Sequence, residues 1–176
     1  MAATGQGRTS VRVKVAGSGD SNIETGVPVL DHLLGLLATH ASFDLALSVE
    51  PGNADAEIDA AARALGEALE EPLRAPGARG DGSAAIPADE ALAHVALEAS
   101  GRPLLVSNVD LSDARVGGLA TDLAARFLDR LAQGAGLTVH VRLIEGSETQ
   151  HVLEAIFKAL GAALAQACGP RRMEAL

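Results

Sequence analysis

Asp55-Ala56-Glu57-Ile58-Asp59-Ala60-Ala61-Ala62-Arg63-Ala64-Leu65-Gly66-Glu67-Ala68-Leu69 returns 95 residues later as Gln150-His151-Val152-Leu153-Glu154-Ala155-Ile156-Phe157-Lys158-Ala159-Leu160-Gly161-Ala162-Ala163-Leu164. Six of the fifteen paired positions are identical: Ala60/Ala155, Ala64/Ala159, Leu65/Leu160, Gly66/Gly161, Ala68/Ala163 and Leu69/Leu164. Asp59 falls on Glu154 and Arg63 on Lys158, so sign of charge is kept there too. Similarity at one fixed spacing predicts an internal duplication, and both segments read as helix.

The same order of elements lies around each copy. Val11, Val13 and Val15 alternate with Arg12, Lys14 and Ala16, the period of a half-buried strand. Gly17–Ser21 reads as a turn and Asn22–Glu24 as a short returning strand. From Pro28 the apolar stripe Val29, Leu30, Leu33, Leu34, Leu37 is helical, Phe43–Glu50 alternates again, and an Ala-rich helix runs from about Ala54 to Leu73. Ala75–Gly82 is a loop between halves. Beyond it, Ala91–Ala99 and Pro103–Val109 are expected as a strand pair joined at Ser100-Gly101-Arg102. A helix over about Gly117–Gln133, a strand over Leu137–Ile144 and a helix over roughly Glu148–Cys168 complete the second copy. The expected fold is α/β, an α+β sandwich in one domain over residues 1–176. Its duplicated halves, about 8–75 and 83–168, are each a small mixed sheet covered by helices.

Composition narrows the function. The chain is 48% hydrophobic and 21% charged, as a folded domain is, yet it has no Trp or Tyr and three Phe. Ala, Leu and Val must fill the core, which predicts close packing of elements and help from oligomeric contacts. A net charge of −9 argues against nucleic acid and against polybasic attachment to membranes. Met1–Arg8 lacks an apolar targeting core, and one cysteine, Cys168, fits a reducing compartment; a cytoplasmic protein is expected.

Several side chains have the chemistry of a site. His151 and Glu154, three apart at the start of the last helix, share one face and together offer a nitrogen and an oxygen ligand. Lys158 follows one turn later on that face, suited to an anionic group. At the matching place in the first half, Asp55 and Asp59 share a face, where acidic residues also favour the helix dipole. His32 interrupts an apolar helix and His140 an apolar strand; taken singly, each reads more readily as a satisfied histidine. His40 suits a helix C-terminus, and His94 reads as structural.

Longer motifs raise these readings. Thr25-Gly26-Val27-Pro28-Val29-Leu30-Asp31-His32-Leu33-Leu34, His40 and Phe43-Asp44-Leu45 resemble the imidazoleglycerol-phosphate dehydratase family. So do Pro87-Ala88-Asp89-Glu90-Ala91-Leu92, Ser100-Gly101-Arg102-Pro103 and Glu154-Ala155-Ile156-Phe157-Lys158-Ala159, in the family's order over about residues 8–166. The resemblance implies a large, symmetric homo-oligomer with two Mn²⁺ between subunits, bound by histidines and glutamates from both halves. It also implies removal of water from imidazole glycerol phosphate to give imidazole acetol phosphate, in histidine biosynthesis. Carried over residue by residue, it makes His32, His140, His151 and Glu154 metal ligands, Glu154 also a catalytic residue, and Arg102 and Lys158 phosphate-binding positions.

The departures fall on the chemistry. The family opens a helix in each half with His-His-x-x-Glu; here the first half has Asp55, Ala56 and Asp59, and the second has Gln150 before the retained His151 and Glu154. Asp55 and Asp59 are possible ligands for a hard ion, whereas Ala56 ligates nothing. The family's N-terminal glutamate has at best Gln6 as its match, its loop arginine falls on Gly80 beside Arg79, and its C-terminal Ser-Thr-Lys-Gly loop has no counterpart after Cys168. At most one intact metal site is expected. Three functions remain open: a divergent, impaired dehydratase; a non-catalytic paralogue assembling with an intact enzyme; or an enzyme recruited to another imidazole or phosphate substrate.

Overall fold

The computed structural model describes residues 8–110 and 122–171. Strands β1 (Ser10–Lys14) and β2 (Ser21–Glu24) precede helix α1 (Pro28–Ala41), strand β3 (Asp44–Ser48) and helix α2 (Ala54–Leu73). Strands β4 (Asp81–Ala88), β5 (Ala91–Glu98) and β6 (Leu104–Ser107) then lead to helix α3 (Leu123–Ala135), strand β7 (Thr138–Glu145) and helix α4 (Thr149–Cys168). Helix α3 begins 95 residues after α1, and α4 begins and ends 95 residues after α2.

The sheets repeat as well. The first has the order β1-β3-β2 and the second β4-β5-β7-β6. In each, the later strand sits in the middle, antiparallel to one neighbour (β1 or β5) and parallel to the other (β2 or β6). This corrects two expectations. Strand β2 does not return against β1, and β5 and β6 are not partners; β3 and β7 lie between them. The cause is the helix after β2 and after β6, which carries the chain over the sheet so that the next strand enters the gap. Strand β4, inside a stretch read as loop and motif, forms a hairpin with β5 at Asp89-Glu90, where Asp89 adopts φ 55°. The free edge of β4 is partly closed by the Gln166 amide, which donates to the Ser83 carbonyl (2.8 Å) and accepts from its N–H (3.0 Å). Residues 117–121 of the expected α3 helix lie outside those described, and Asp122 caps the helix without belonging to it.

The helices lie between the sheets. Helices α1 and α2 cover the first sheet and α3 and α4 the second, and they meet across the halves as α1 on α4 and α2 on α3. Helix starts are set locally: Asn53 Oδ1 accepts from Ala56 N at 2.8 Å for α2, and Asp122 Oδ1 from Ala125 N at 3.0 Å for α3. Helix α4 is the one described helix long and apolar enough to cross a membrane, and here it is the core helix, packed on α1, β4 and β5. The three phenylalanines, Phe43, Phe127 and Phe157, are fully buried, with the Phe127 and Phe157 rings in tilted contact at a centroid distance of 5.2 Å.

Small side chains let the helices approach closely, as the aromatic-poor composition requires. A Cβ on Gly66 would stand 2.8 Å from the Leu131 carbonyl of α3, and one on Gly134 2.8 Å from the Arg63 carbonyl of α2. Gly161, the copy of Gly66, holds the same place against the Leu37 carbonyl of α1. Gly161→Ala is therefore expected to destabilise the fold by about 1–3 kcal/mol through overpacking, opposite in sign to the gain of up to ~1 kcal/mol that Ala brings to an open helix. Urea unfolding reads the sign; a raised midpoint at unchanged slope would show that the helices separate freely.

Candidate metal centre and its arginine-filled counterpart

Each interface between halves brings one helix pair together, and both pairs carry ionisable groups. On α1/α4, His32 Nε2 lies 3.0 Å from Glu154 Oε2, and Gln150 Nε2 donates to the same oxygen at 3.1 Å. Asp31, just before His32, accepts from the Thr25 N–H at 3.0 Å and from the buried Thr25 hydroxyl, which locks the turn leading into α1. Burial raises the Glu154 carboxyl, but the hydrogen bonds from Gln150 and His32 outweigh it and hold it below the usual range. Glu154 is therefore an anion with one oxygen spoken for.

His151 sits one turn earlier on α4 and belongs to a second cluster. Its Nδ1 is 2.6 Å from Glu90 Oε1, and its Nε2 is 3.5 Å from Glu148 Oε2 and 3.9 Å from Asp89 Oδ2. Asp89, Glu90 and His151 converge closely enough to hold a metal ion. Glu90 also accepts from the N–H groups of Ser147 (3.1 Å) and Glu148 (3.0 Å). The Glu148 amide and then the His151 ring hold the Glu90 carboxyl down at about 2, and Glu90 in turn raises the His151 ring above its ordinary value.

The other pair, α2/α3, is filled differently. Arg126 Nη1 lies 2.9 Å from both carboxylate oxygens of Asp59, its Nη2 is 3.6 Å from Asp55, and Arg130 Nε approaches Asp59 at 3.5 Å. Asp59, through its hydrogen bond first, raises the Arg126 pKa. The third carboxylate of this turn, Glu57, points inward, accepting from Gly52 N at 3.2 Å and filling the space beside Gly26. A donor set already neutralised by a guanidinium does not fit a divalent ion; the α4 set, a histidine and carboxylates, does.

The remaining residues lie apart. His140 stands on the outward face of the second sheet between Ala96 and Val106, and among the described residues no hydrogen bond or ion pair joins it to the α4 cluster. Exposed Leu104, Val106 and Ile144 share that face. Arg102 is in the β5–β6 loop, its carbonyl accepting from the Ser100 and Thr138 hydroxyls. Lys158 is half-buried on α4. His40 Nδ1 is 3.1 Å from the Leu36 carbonyl at the end of α1, and His94 lies on β5 opposite Arg142. Gln6 falls outside the described residues. Asp89 and Glu90 lie in a motif that the sequence offers without a role for either; two adjacent acids just before the expected strand at Ala91 are the available signal. Arg126 and Arg130, one turn apart, offered another as the match to Asp55 and Asp59.

Comparisons agree with the resemblance. The sequence profile described as Imidazoleglycerol-phosphate dehydratase matches residues 25–164. The chain is 41% identical over 168 residues to the imidazoleglycerol-phosphate dehydratase of Acetivibrio thermocellus, covering 92% of this chain and 85% of that one. To that of Syntrophobacter fumaroxidans it is 43% identical over 169 residues, covering 93% and 85%. The fold is similar to the crystal structure of imidazoleglycerol-phosphate dehydratase from Staphylococcus aureus, with TM-score 0.84 and 33% identity over 92% of this chain and 94% of that one.

Two expectations follow. In a double-mutant cycle of Arg126→Met and Asp59→Asn, each single change destabilises, with a coupling of about 1 kcal/mol by urea unfolding that shrinks in high salt; zero coupling would make the pair incidental. In chelator-treated protein, the His151 ring is expected to titrate above a peptide histidine, and Glu90→Gln to lower that midpoint, read by NMR. The raised ring pKa contributes stability below the unfolded histidine value and loses it as pH rises through the folded one. The depressed Glu90 carboxyl contributes stability above the unfolded carboxylate value and loses it as pH falls towards about 2.

Proposed function

The chain belongs to the imidazoleglycerol-phosphate dehydratase family, and we propose on that footing that it is a metal-dependent dehydratase of histidine biosynthesis with one metal position per chain. The substrate is imidazole glycerol phosphate, the product imidazole acetol phosphate, the ion Mn²⁺ and the location cytoplasmic. The observation that carries this reading is the contrast between the two helix pairs: His32 of α1 faces the start of α4, where His151 and Glu154 stand, while Arg126 of α3 neutralises Asp55 and Asp59 of α2.

Carried over from the family, His32, His151 and Glu154 would hold the ion, drawing on the His32–Glu154 pair and on the neighbouring His151 cluster, with His140 supplied from a second copy, since its outward sheet face carries exposed Leu104, Val106 and Ile144. When bound, the ion supplies Lewis-acid stabilisation of negative charge on the imidazole ring. Glu154, kept anionic by Gln150 and His32, is suited to hold a proton leaving the substrate carbon. Lys158 and Arg102 are suited to the phosphate. The large homo-oligomer follows the same logic, because among the described residues nothing covers the sheet face that carries His140, Leu104, Val106 and Ile144.

Loss of the first-half ligands argues for slow turnover, at least ~10–100-fold below a relative with both sites, by the cost of removing even ligand-supporting groups. Arg126 also favours a second reading, a non-catalytic subunit that assembles with an intact dehydratase. Complementation of a histidine auxotroph lacking its dehydratase separates the two. We expect weak growth and at most one Mn²⁺ per chain by elemental analysis. Two tightly held ions with robust growth would overturn the one-site reading, and no growth from folded oligomer would favour the subunit. Restoring Asp55→His, Ala56→His, Asp59→Glu and Gln150→His should raise metal content only when Arg126 is also removed.

A further inference from the structure

Glu90 ties the β4–β5 hairpin to the start of α4. It stands at the tip of the β4–β5 hairpin, yet its carboxylate is committed on both oxygens to the start of α4. Oε2 accepts from Ser147 N at 3.1 Å and Glu148 N at 3.0 Å, and Oε1 faces His151 Nδ1 at 2.6 Å. Two backbone amides therefore fix the carboxylate, and the fixed carboxylate aims its free oxygen at the ring. Hairpin and helix are held at close range here: a Cβ on Gly146, at φ 146°, would stand 2.9 Å from Ala91 Cβ.

A carboxylate that only accepts requires the ring to donate, so Nδ1 carries the proton and the lone pair of the neutral ring is on Nε2. That nitrogen is the one facing Glu148 and Asp89 at 3.5 and 3.9 Å. Histidines that bind metals are oriented in this manner, with a carboxylate on the ring nitrogen away from the ion.

We propose that Glu90 is the positioning residue of the α4 site: it holds His151 as the Nδ1–H tautomer and presents Nε2 as the ligand atom. The inference rests on the reading of His151 as a ligand. Stabilising the helix start with a negative charge, the simpler role for Glu90, would leave the tautomer undetermined.

The test uses the full chain and two independent readouts. The first is the ¹⁵N chemical shifts of the His151 ring in metal-free protein, at a pH above its titration. Wild type is expected as the Nδ1–H tautomer, Glu90→Gln and Glu90→Ala as a mixture or the reverse, and Asp89→Asn as unchanged. Wild type in the Nε2–H form, or an unchanged tautomer in folded Glu90→Ala, overturns the proposal. The second readout is titration with Mn²⁺ alone, following paramagnetic broadening of the same ring. Glu90→Gln should weaken binding ~10–100-fold, whereas equal affinity in wild type and Glu90→Gln would overturn the positioning role. Absence of broadening in wild type would overturn the ligand reading itself, and the tautomer data separate that failure from a failure of Glu90 to orient the ring.

Discussion

Contact between helix backbones is the constraint from which the rest of the molecule follows. With no Trp or Tyr available, the interior cannot be filled by a few large side chains, so the four described helices must close on one another directly. They do so where a Cβ is missing: Gly66 and Gly134 between α2 and α3, Gly161 between α1 and α4. Because the contacts are backbone to side-chain-free backbone, the rotation of each helix about its axis is determined within narrow limits. That rotation in turn decides which side chains of α1 face α4 and which of α2 face α3.

The duplicated scaffold therefore delivers two equivalent addresses, and the chain has furnished them differently. At one, His32 meets Glu154 with Gln150 and His151 nearby; at the other, Arg126 meets Asp59 with Asp55 and Arg130. Both solve the same electrostatic problem, since carboxylates at a tight helix junction need positive charge beside them. A guanidinium carries that charge permanently and within the fold, with planar donors matched to a carboxylate. An imidazole has a ring nitrogen that can coordinate an ion, and only this second solution has coordinating capacity to spare.

Helices were readable from sequence because their information is local and was written twice: the 95-residue shift aligns α2 with α4 at both ends. Strand neighbours were not, because alternation identifies a strand without saying what lies beside it. Val11–Val15 and Asn22–Glu24 carry the same pattern whether or not β3 passes between them. The site split along the same line. His151 and Glu154 announce themselves by spacing on one helix. Glu90 is separated from His151 by 61 residues and Arg126 from Asp59 by 67, and each is an ordinary surface residue until the fold supplies its partner. His140 was identified by resemblance, and its outward position on β7 could not be foreseen without the sheet order.

The crossing of α1 with α4 and of α2 with α3 bears on how the chain is made. Each half packs its helices on its own sheet but relies on the other half's helices to cover their far sides, and the contact of His32 with Glu154 spans 122 residues. As synthesis proceeds, α1 and α2 emerge with only the small first sheet to rest on, the Leu37 turn of α1 and the Gly66 turn of α2 exposed until α4 and α3 arrive. Helix α4, the last of the described helices and packed on α1, β4 and β5, thus acts as the closing element of the core. Without it, α1, β4 and β5 lack their main helix contact, and contacts this distant in sequence form at the slower pace of non-local topologies.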